Sequence, residues 1–245
     1  MTTLHENIER IEAEIARACQ RAGRSRNDVE LMAVSKTCPA SALAEAAQLG
    51  LSLFGENRVQ EWSAKAVELE RQLKGKQIRT HLIGHLQSNK ALRAVEIFDG
   101  VDTVDSLRLA ERLNEAALRV GKKLPILLEL KLSPEASKAG LDPMAPTTAE
   151  LLDRLPEMEN LLPQGLMTIP PLAVSEAETR ACFCSLRTWR DRWAAAHPRL
   201  GWNVLSMGMS GDFSQAIEEG ATRIRIGTAL FGARTYPSPE AGCEP

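Results

Sequence analysis

Lys36 follows the apolar and small run Leu31-Met32-Ala33-Val34-Ser35, so a strand over 29–35 delivers its amine to the strand's C-terminal end. Partial desolvation there disfavours the ammonium form and yields a neutral amine able to attack an aldehyde. The same place also suits a solvated lysine or a plain phosphate ligand. Far along the chain, MGMSGDF puts Gly208, Ser210 and Gly211 just ahead of a short helical pattern. Small residues in such a turn expose backbone N–H groups to an anion. RIGTALFG supplies a second turn, in which Gly227 permits close backbone approach and Thr228 adds a hydroxyl and an amide. Each turn also serves as a tight strand-to-helix connection, and their joint placement is what points to phosphate. Arg225 shares a strand face with Gly227, and Arg223 has the same parity, so alternation leaves open which arginine faces the site. Either one also suits the simpler role of a charge capping the sheet edge.

Positioning these residues requires strand ends brought to one rim. The chain alternates β-like runs with helical patterns, the signature of a parallel sheet covered by helices. After a first helix over 4–22, the predicted strands are Val29–Ser35, Leu51–Asn57, Thr80–Leu86, IFDGVDTVD (97–105), Pro125–Leu132, Gly165–Pro171, Trp202–Gly208 and Thr222–Gly232. The fourth carries a glycine and three aspartates and has the weakest pattern. Helices are expected from Pro39, over 59–73, from near Ser88, after a Ser106 cap, from near Thr147, over 176–196 and over GDFSQAIEEG. This order predicts a single (β/α)8 TIM barrel over 1–236 with an extra N-terminal helix and a loose tail at 237–245. In such a barrel functional residues lie at the C-terminal strand ends, and phosphate is often held after strands seven and eight. An open doubly wound sheet is the alternative, but its Gly-rich first turn is replaced here by SKTCP.

Hydrophobic residues make up 44% and charged residues 25% of the 245, as expected for a globular chain. A formal net charge of −2 gives no general attraction to nucleic acid or anionic membrane. No signal-peptide or membrane-spanning run is evident, and five scattered cysteines (Cys19, Cys38, Cys182, Cys184 and Cys243) read as reduced thiols in a cytoplasmic protein. No metal site is expected.

The motifs AVSKT (33–37), FGENRVQE (54–61), HLIGHLQSNK (81–90), GLMTIPP (165–171), LSMGMSGDF (205–213) and RIGTALFGAR (225–234) resemble, in order and spacing, the pyridoxal 5′-phosphate (PLP) homeostasis proteins of the YggS/PROSC type. That family is similar to the N-terminal barrel of alanine racemase. The resemblance implies PLP as cofactor, held as an internal aldimine on Lys36, with Asn57 beside it and Met167 and Met207 packed near the ring. It further implies that Ser210, Gly227 and Thr228 hold the phosphate and that Arg225 faces the pyridine nitrogen. An arginine cannot give up its proton, so that nitrogen stays unprotonated and the ring is a weaker electron sink. The family commonly has a second acidic residue after GMS, where this chain has Gly211-Asp212.

Two functions are compatible with these residues: a PLP carrier, buffer or regulator, and a PLP-dependent enzyme such as an amino-acid racemase. A two-base racemase needs a proton donor opposite the lysine, and the chain's single tyrosine is Tyr236, at the edge of the expected tail. Cys38 and His85 are imaginable substitutes with no motif behind them. A Schiff-base aldolase without PLP would use Lys36 but leaves both phosphate-type turns unexplained. The carrier reading is the expectation, with a monomer and apo PLP-dependent enzymes as partners.

Overall fold

Most strand residues are buried, as those of a parallel strand must be when helices cover one face and a barrel interior the other. The computed structural model describes residues 2–73, 75–132, 139–171 and 174–232. It joins the strands into one closed barrel in sequential order, the last strand pairing with the first. The strands are β1 (Glu30–Val34), β2 (Leu53–Glu56), β3 (Arg79–Leu82), β4 (Gly100–Val104), β5 (Leu124–Glu129), β6 (Leu161–Met167), β7 (Val204–Ser206) and β8 (Arg223–Ile226). The helices are α1 (Leu4–Arg21), α2 (Ala40–Gln48), α3 (Val59–Gln72), α4 (Ala91–Ile97), α5 (Leu107–Val120), α6 (Pro146–Arg154), α7 (Glu176–Ala196), α8 (Phe213–Glu218) and α9 (Thr228–Phe231). The expected (β/α)8 barrel with an added N-terminal helix is therefore the fold. The proposed tail at 237–245, with Cys243, and Tyr236 just before it lie outside the described residues.

Period-two alternation sorts the strand residues into two layers. Leu31, Ala33, Phe54, Leu82, Leu166, Leu205, Ile224 and Ile226 join the main core between sheet and helices. Met32, Val34, Leu53 and Ile83 form a separate cluster inside the barrel. The N-terminal end of the interior is polar. There Arg223 pairs with Asp102 at 3.1 Å and with Glu30 at 2.9 Å, and His81 Nδ1 lies 2.7 Å from Asp102. This explains the weak look of β4: its central aspartate is buried because two partners satisfy it.

Several boundaries differ from the sequence reading. β6 begins at Leu161, ahead of GLMTIPP, because Pro163 sits opposite Ile126 where the register with β5 shifts. β3 ends at Leu82, which leaves His85 in the following loop, and β5 ends at Glu129, two residues short of Lys131. β8 stops at Ile226, and the residues TALF turn into α9.

α1 is amphipathic, with Ile8, Ile11, Ile15, Ala18 and Cys19 buried. Each isoleucine so buried is worth ~1.5–3 kcal/mol. A capping box of Thr3 and Glu6 starts the helix. The buried Asn7 donates to the Leu230 carbonyl at 2.9 Å, and Arg24, just beyond α1, to that of Ile217 at 2.8 Å. Through these bonds α1 braces α8 and α9, the two short helices that follow the phosphate-type turns. No described helix is long and apolar enough to cross a membrane. Among the described residues, Cys19, Cys38, Cys182 and Cys184 are joined by no disulfide.

Candidate functional site

At the C-terminal rim a cavity of about 260 Å³ opens between the ends of β1, β2, β8 and the loops after β3, β6 and β7. That lies near the small end of the ~300–1,000 Å³ typical of small-ligand sites. Lys36, Asn57, Ser210, Arg225, Gly227 and Thr228 all line it, so six of the eight residues singled out in the sequence converge there. Met167 and Met207 do not line it. Both are fully buried, and Met207 has the outward parity of Leu205 and belongs to the sheet–helix core. The apolar wall is made instead by Val34, Ile83, Ile169 and Met209. A larger hollow of about 700 Å³ lies between the β3–α4 connection and α5. It holds none of these groups, so the chemistry belongs to the smaller cavity.

Strand alternation explains how Lys36 reaches the site. It has the inward parity of Met32 and Val34, whereas Ser35 points outward and is fully buried. Asn57 follows β2 on the inward parity as well. Its carbonyl is closely backed by Gly84, where an added Cβ would lie 2.2 Å from that oxygen; only glycine fits there.

The structure also separates the two arginines. Arg223 is consumed at the closed end of the barrel. Arg225 turns toward the rim, donating through Nη1 to Ser206 Oγ and through Nη2 to the Thr168 carbonyl, both at 2.8 Å. Both acceptors are neutral, so its charge is balanced only at longer range by Asp102, Glu129 and Asp212. Burial lowers the Arg225 pKa from its ordinary value against the pull of those carboxylates, yet a guanidinium stays charged. Glu129, buried at the end of β5, is pushed up to about 7, first by burial and then by Asp105, against Arg225 and His85. Burial likewise raises Asp212, opposed by the Met209 amide and by Arg225.

The two late turns are tied together, since Ser210 Oγ accepts from the Ala229 N–H at 3.3 Å. Asp212 accepts from the Met209 N–H at 2.5 Å. Among the described residues the N–H groups of Ser210 and Gly211 have no acceptor, and a Cβ at Gly211 would meet nothing within 4 Å. Two unclaimed amides, a seryl hydroxyl and a buried arginine suit a phosphorylated, planar ligand, and the lysine adds a partner for a carbonyl. Among the described residues no cluster of potential ligands could hold a metal.

Comparison with known proteins agrees with this chemistry. Residues 7–235 match the alanine racemase N-terminal domain family. The chain is 43% identical over 237 residues to the pyridoxal phosphate homeostasis protein of Vibrio cholerae, covering 96% of this chain and 98% of that one. The chain belongs to the pyridoxal phosphate homeostasis family. The Pseudomonas aeruginosa member is 44% identical over 240 residues, covering 98% and 99% of the two chains. Among solved structures, PipY of Synechococcus elongatus with PLP bound has 43% identity and a TM-score of 0.77, covering 89% of this chain and all of that one. Without PLP, PipY matches at 41% identity and a TM-score of 0.82, covering 94% of this chain and all of PipY. An alanine racemase from Clostridium difficile shares the fold at 19% identity and a TM-score of 0.69, with 57% of its chain covered.

Sequence reasoning passed over two groups in this family member. Glu129 stood in plain view as the one charge inside the run ILLE, and a carboxyl in a doubly buried strand is itself a signal. A second group, Glu56, Glu61 and Lys65, surrounds the base of the Lys36 turn. The i,i+4 spacing of Glu61 and Lys65 was readable, but their convergence on Ser35 and Thr37 depends on the packing of α3 over β1 and β2.

Proposed function

We propose that this protein binds PLP in the rim cavity and serves intracellular PLP homeostasis in the cytoplasm as a carrier, buffer or regulator. The observation that carries the reading is the convergence of Lys36, Arg225 and the two phosphate-type turns on one small cavity. The names of its relatives and the PLP-bound PipY structure support the same assignment. When bound, PLP supplies an aldehyde that condenses with a lysine amine as water leaves.

Lys36 contributes that amine, from a partly buried position on the cavity that Arg225 also lines. Ser210, Gly211, Gly227 and Thr228 would hold the phosphate through backbone N–H and hydroxyl groups. Arg225, fixed by Ser206 and Thr168, would face the ring nitrogen and keep it unprotonated, and Asn57 would lie beside the ring. Ile83, Ile169 and Met209 supply the apolar contacts that were expected of Met167 and Met207. The cavity opens to solvent at the rim, which allows the cofactor to leave for an apo PLP-dependent enzyme. The working form is a monomer.

One feature favours a second reading, a PLP-dependent amino-acid racemase: burial pushes the carboxyl of Glu129, which interacts with Arg225, up to about 7, a range that suits a proton carrier. The permanent charge of Arg225 weighs against it. Both readings are tested together by incubating the loaded protein with an apo PLP enzyme and, separately, with L-amino acids. The carrier reading expects the acceptor to gain activity, with slower transfer from Lys36→Ala and no racemisation by wild type. Racemisation abolished by Glu129→Gln would decide for the enzyme. Equal transfer by wild type and Lys36→Ala would remove the lysine from the route.

A further inference from the structure

Lys36 sits between two residues whose backbones are fastened from outside the barrel. Thr37 has a φ of 66°, the one positive value for a non-glycine among the described residues. This left-handed region is unfavourable for a β-branched side chain. The Thr37 N–H donates to Oε1 of Glu61 on α3. On the other flank, Ser35 Oγ donates to Glu56 Oε1 at 2.8 Å, and the Ser35 carbonyl accepts from Lys65 Nζ at 3.0 Å. The same ammonium donates to Glu56 Oε1 at 2.8 Å and to Glu61 Oε1 at 2.9 Å. One buried lysine therefore joins the anchors on both flanks of Lys36.

As a source of stability alone this arrangement is a poor bargain. Glu56 is fully buried, its second oxygen has no partner among the described residues, and burial raises its pKa in spite of Lys65 and Ser35. Buried ion pairs are often no better than apolar packing of equal volume. Burial also acts to raise Glu61, but the Thr37 amide and Lys65 outweigh it and hold that carboxyl below its ordinary value. It therefore stays ionised and able to hold the amide.

We propose that Glu61 and Lys65 are positioning residues that hold the Ser35–Thr37 turn in its left-handed conformation, so that the Lys36 amine is presented to an aldehyde at the barrel rim. This rests on the reading that Lys36 is the amine that bonds PLP. In that step the lysine nitrogen forms the C=N bond and the aldehyde oxygen leaves as water; Glu61 and Lys65 neither give nor take atoms.

The test compares wild type, Glu61→Ala, Glu61→Gln, Lys65→Met and the double variant Glu61→Ala/Thr37→Gly. Two quantities are measured for each: borohydride-fixed PLP on Lys36, and affinity for pyridoxine 5′-phosphate, which has the ring and phosphate but no aldehyde. Glu61→Ala is expected to lower imine occupancy about 5- to 30-fold, the equivalent of the ~1–2 kcal/mol cost of a left-handed residue. Its affinity for pyridoxine 5′-phosphate stays at the wild-type value. Lys65→Met behaves alike, while Glu61→Gln, which keeps an acceptor for the Thr37 amide, retains most of the imine.

Glycine adopts positive φ freely, so the double variant recovers the imine. A general loss of fold would lower both quantities together and would not be rescued by glycine. Imine formation in Glu61→Ala equal to wild type, no recovery in the double variant, or a parallel loss of both quantities would overturn the proposal. If unmutated protein shows no reducible imine on Lys36, the reading beneath it fails as well, and that outcome is seen in wild type alone.

Discussion

Glu129→Gln is expected to make the protein more stable at alkaline pH while leaving its acid stability nearly unchanged. The carboxyl is 8% exposed, and burial, with Asp105, lifts its pKa from 4.5 to about 7. At ~1.36 kcal/mol for each tenfold change in proton affinity, the ionised form is disfavoured in the folded protein by about 3 kcal/mol. The sign follows from which state holds the proton. Below about pH 4.5 the group is protonated whether the chain is folded or not. Between about pH 4.5 and 7 the unfolded chain releases the proton and the folded one keeps it, so stability falls as pH rises.

Above about pH 7 the whole cost is present. Glutamine has nearly the same shape and no charge, so the variant lacks this loss. The stability difference should grow from near zero at about pH 4.5 to as much as ~3 kcal/mol at about pH 8.5. Any cost of burying the amide offsets both values equally and leaves the pH trend intact. Urea unfolding of wild type and variant at several pH values, with comparable m, measures the trend. A difference that stays constant with pH, or that favours wild type as pH rises, would refute the reasoning.

Arg223→Met removes one of the two partners of the buried Asp102 and one of the two arginines on Glu30. Breaking such a pair should cost ~3–5 kcal/mol in urea unfolding. Burial acts to raise Asp102, and His81 and Arg223 outweigh it and hold the carboxyl below its ordinary value. Its charge therefore stabilises the fold above its unfolded pKa, and that stability is lost as pH falls through the lower folded value. Without Arg223, acid unfolding should begin at higher pH. Gly84→Ala places a methyl against the Asn57 carbonyl. A loss of at least ~1–3 kcal/mol in stability, together with weaker PLP binding by titration, is expected because the Asn57 backbone must move.

How much of this was legible depended on which residues speak for themselves. The eight buried runs alternate clearly with helices, so the barrel could be read without any contact information. Lys36 and the turns around Ser210 and Gly227 are local patterns at strand ends, and the closed barrel brings them together. Met207, which the resemblance put near the ring, is buried in the sheet–helix core, because the face it takes depends on where β7 starts. The start of β6 was hidden by Pro163 and by a register shift imposed by β5. The division of labour between Arg223 and Arg225 needed the partners of each: Asp102 and Glu30 for one, Ser206 and Thr168 for the other. The brace under Thr37 depends on the docking of α3, which no local pattern encodes.

The most direct test of the account is the absorbance of purified protein titrated with PLP, for wild type and Lys36→Ala, followed by borohydride reduction and peptide mapping. The account predicts a visible imine band in wild type alone and a reduced pyridoxyl label on Lys36. Matching spectra for the two proteins, with no label at Lys36, would contradict it and leave the rim cavity to some other phosphorylated ligand.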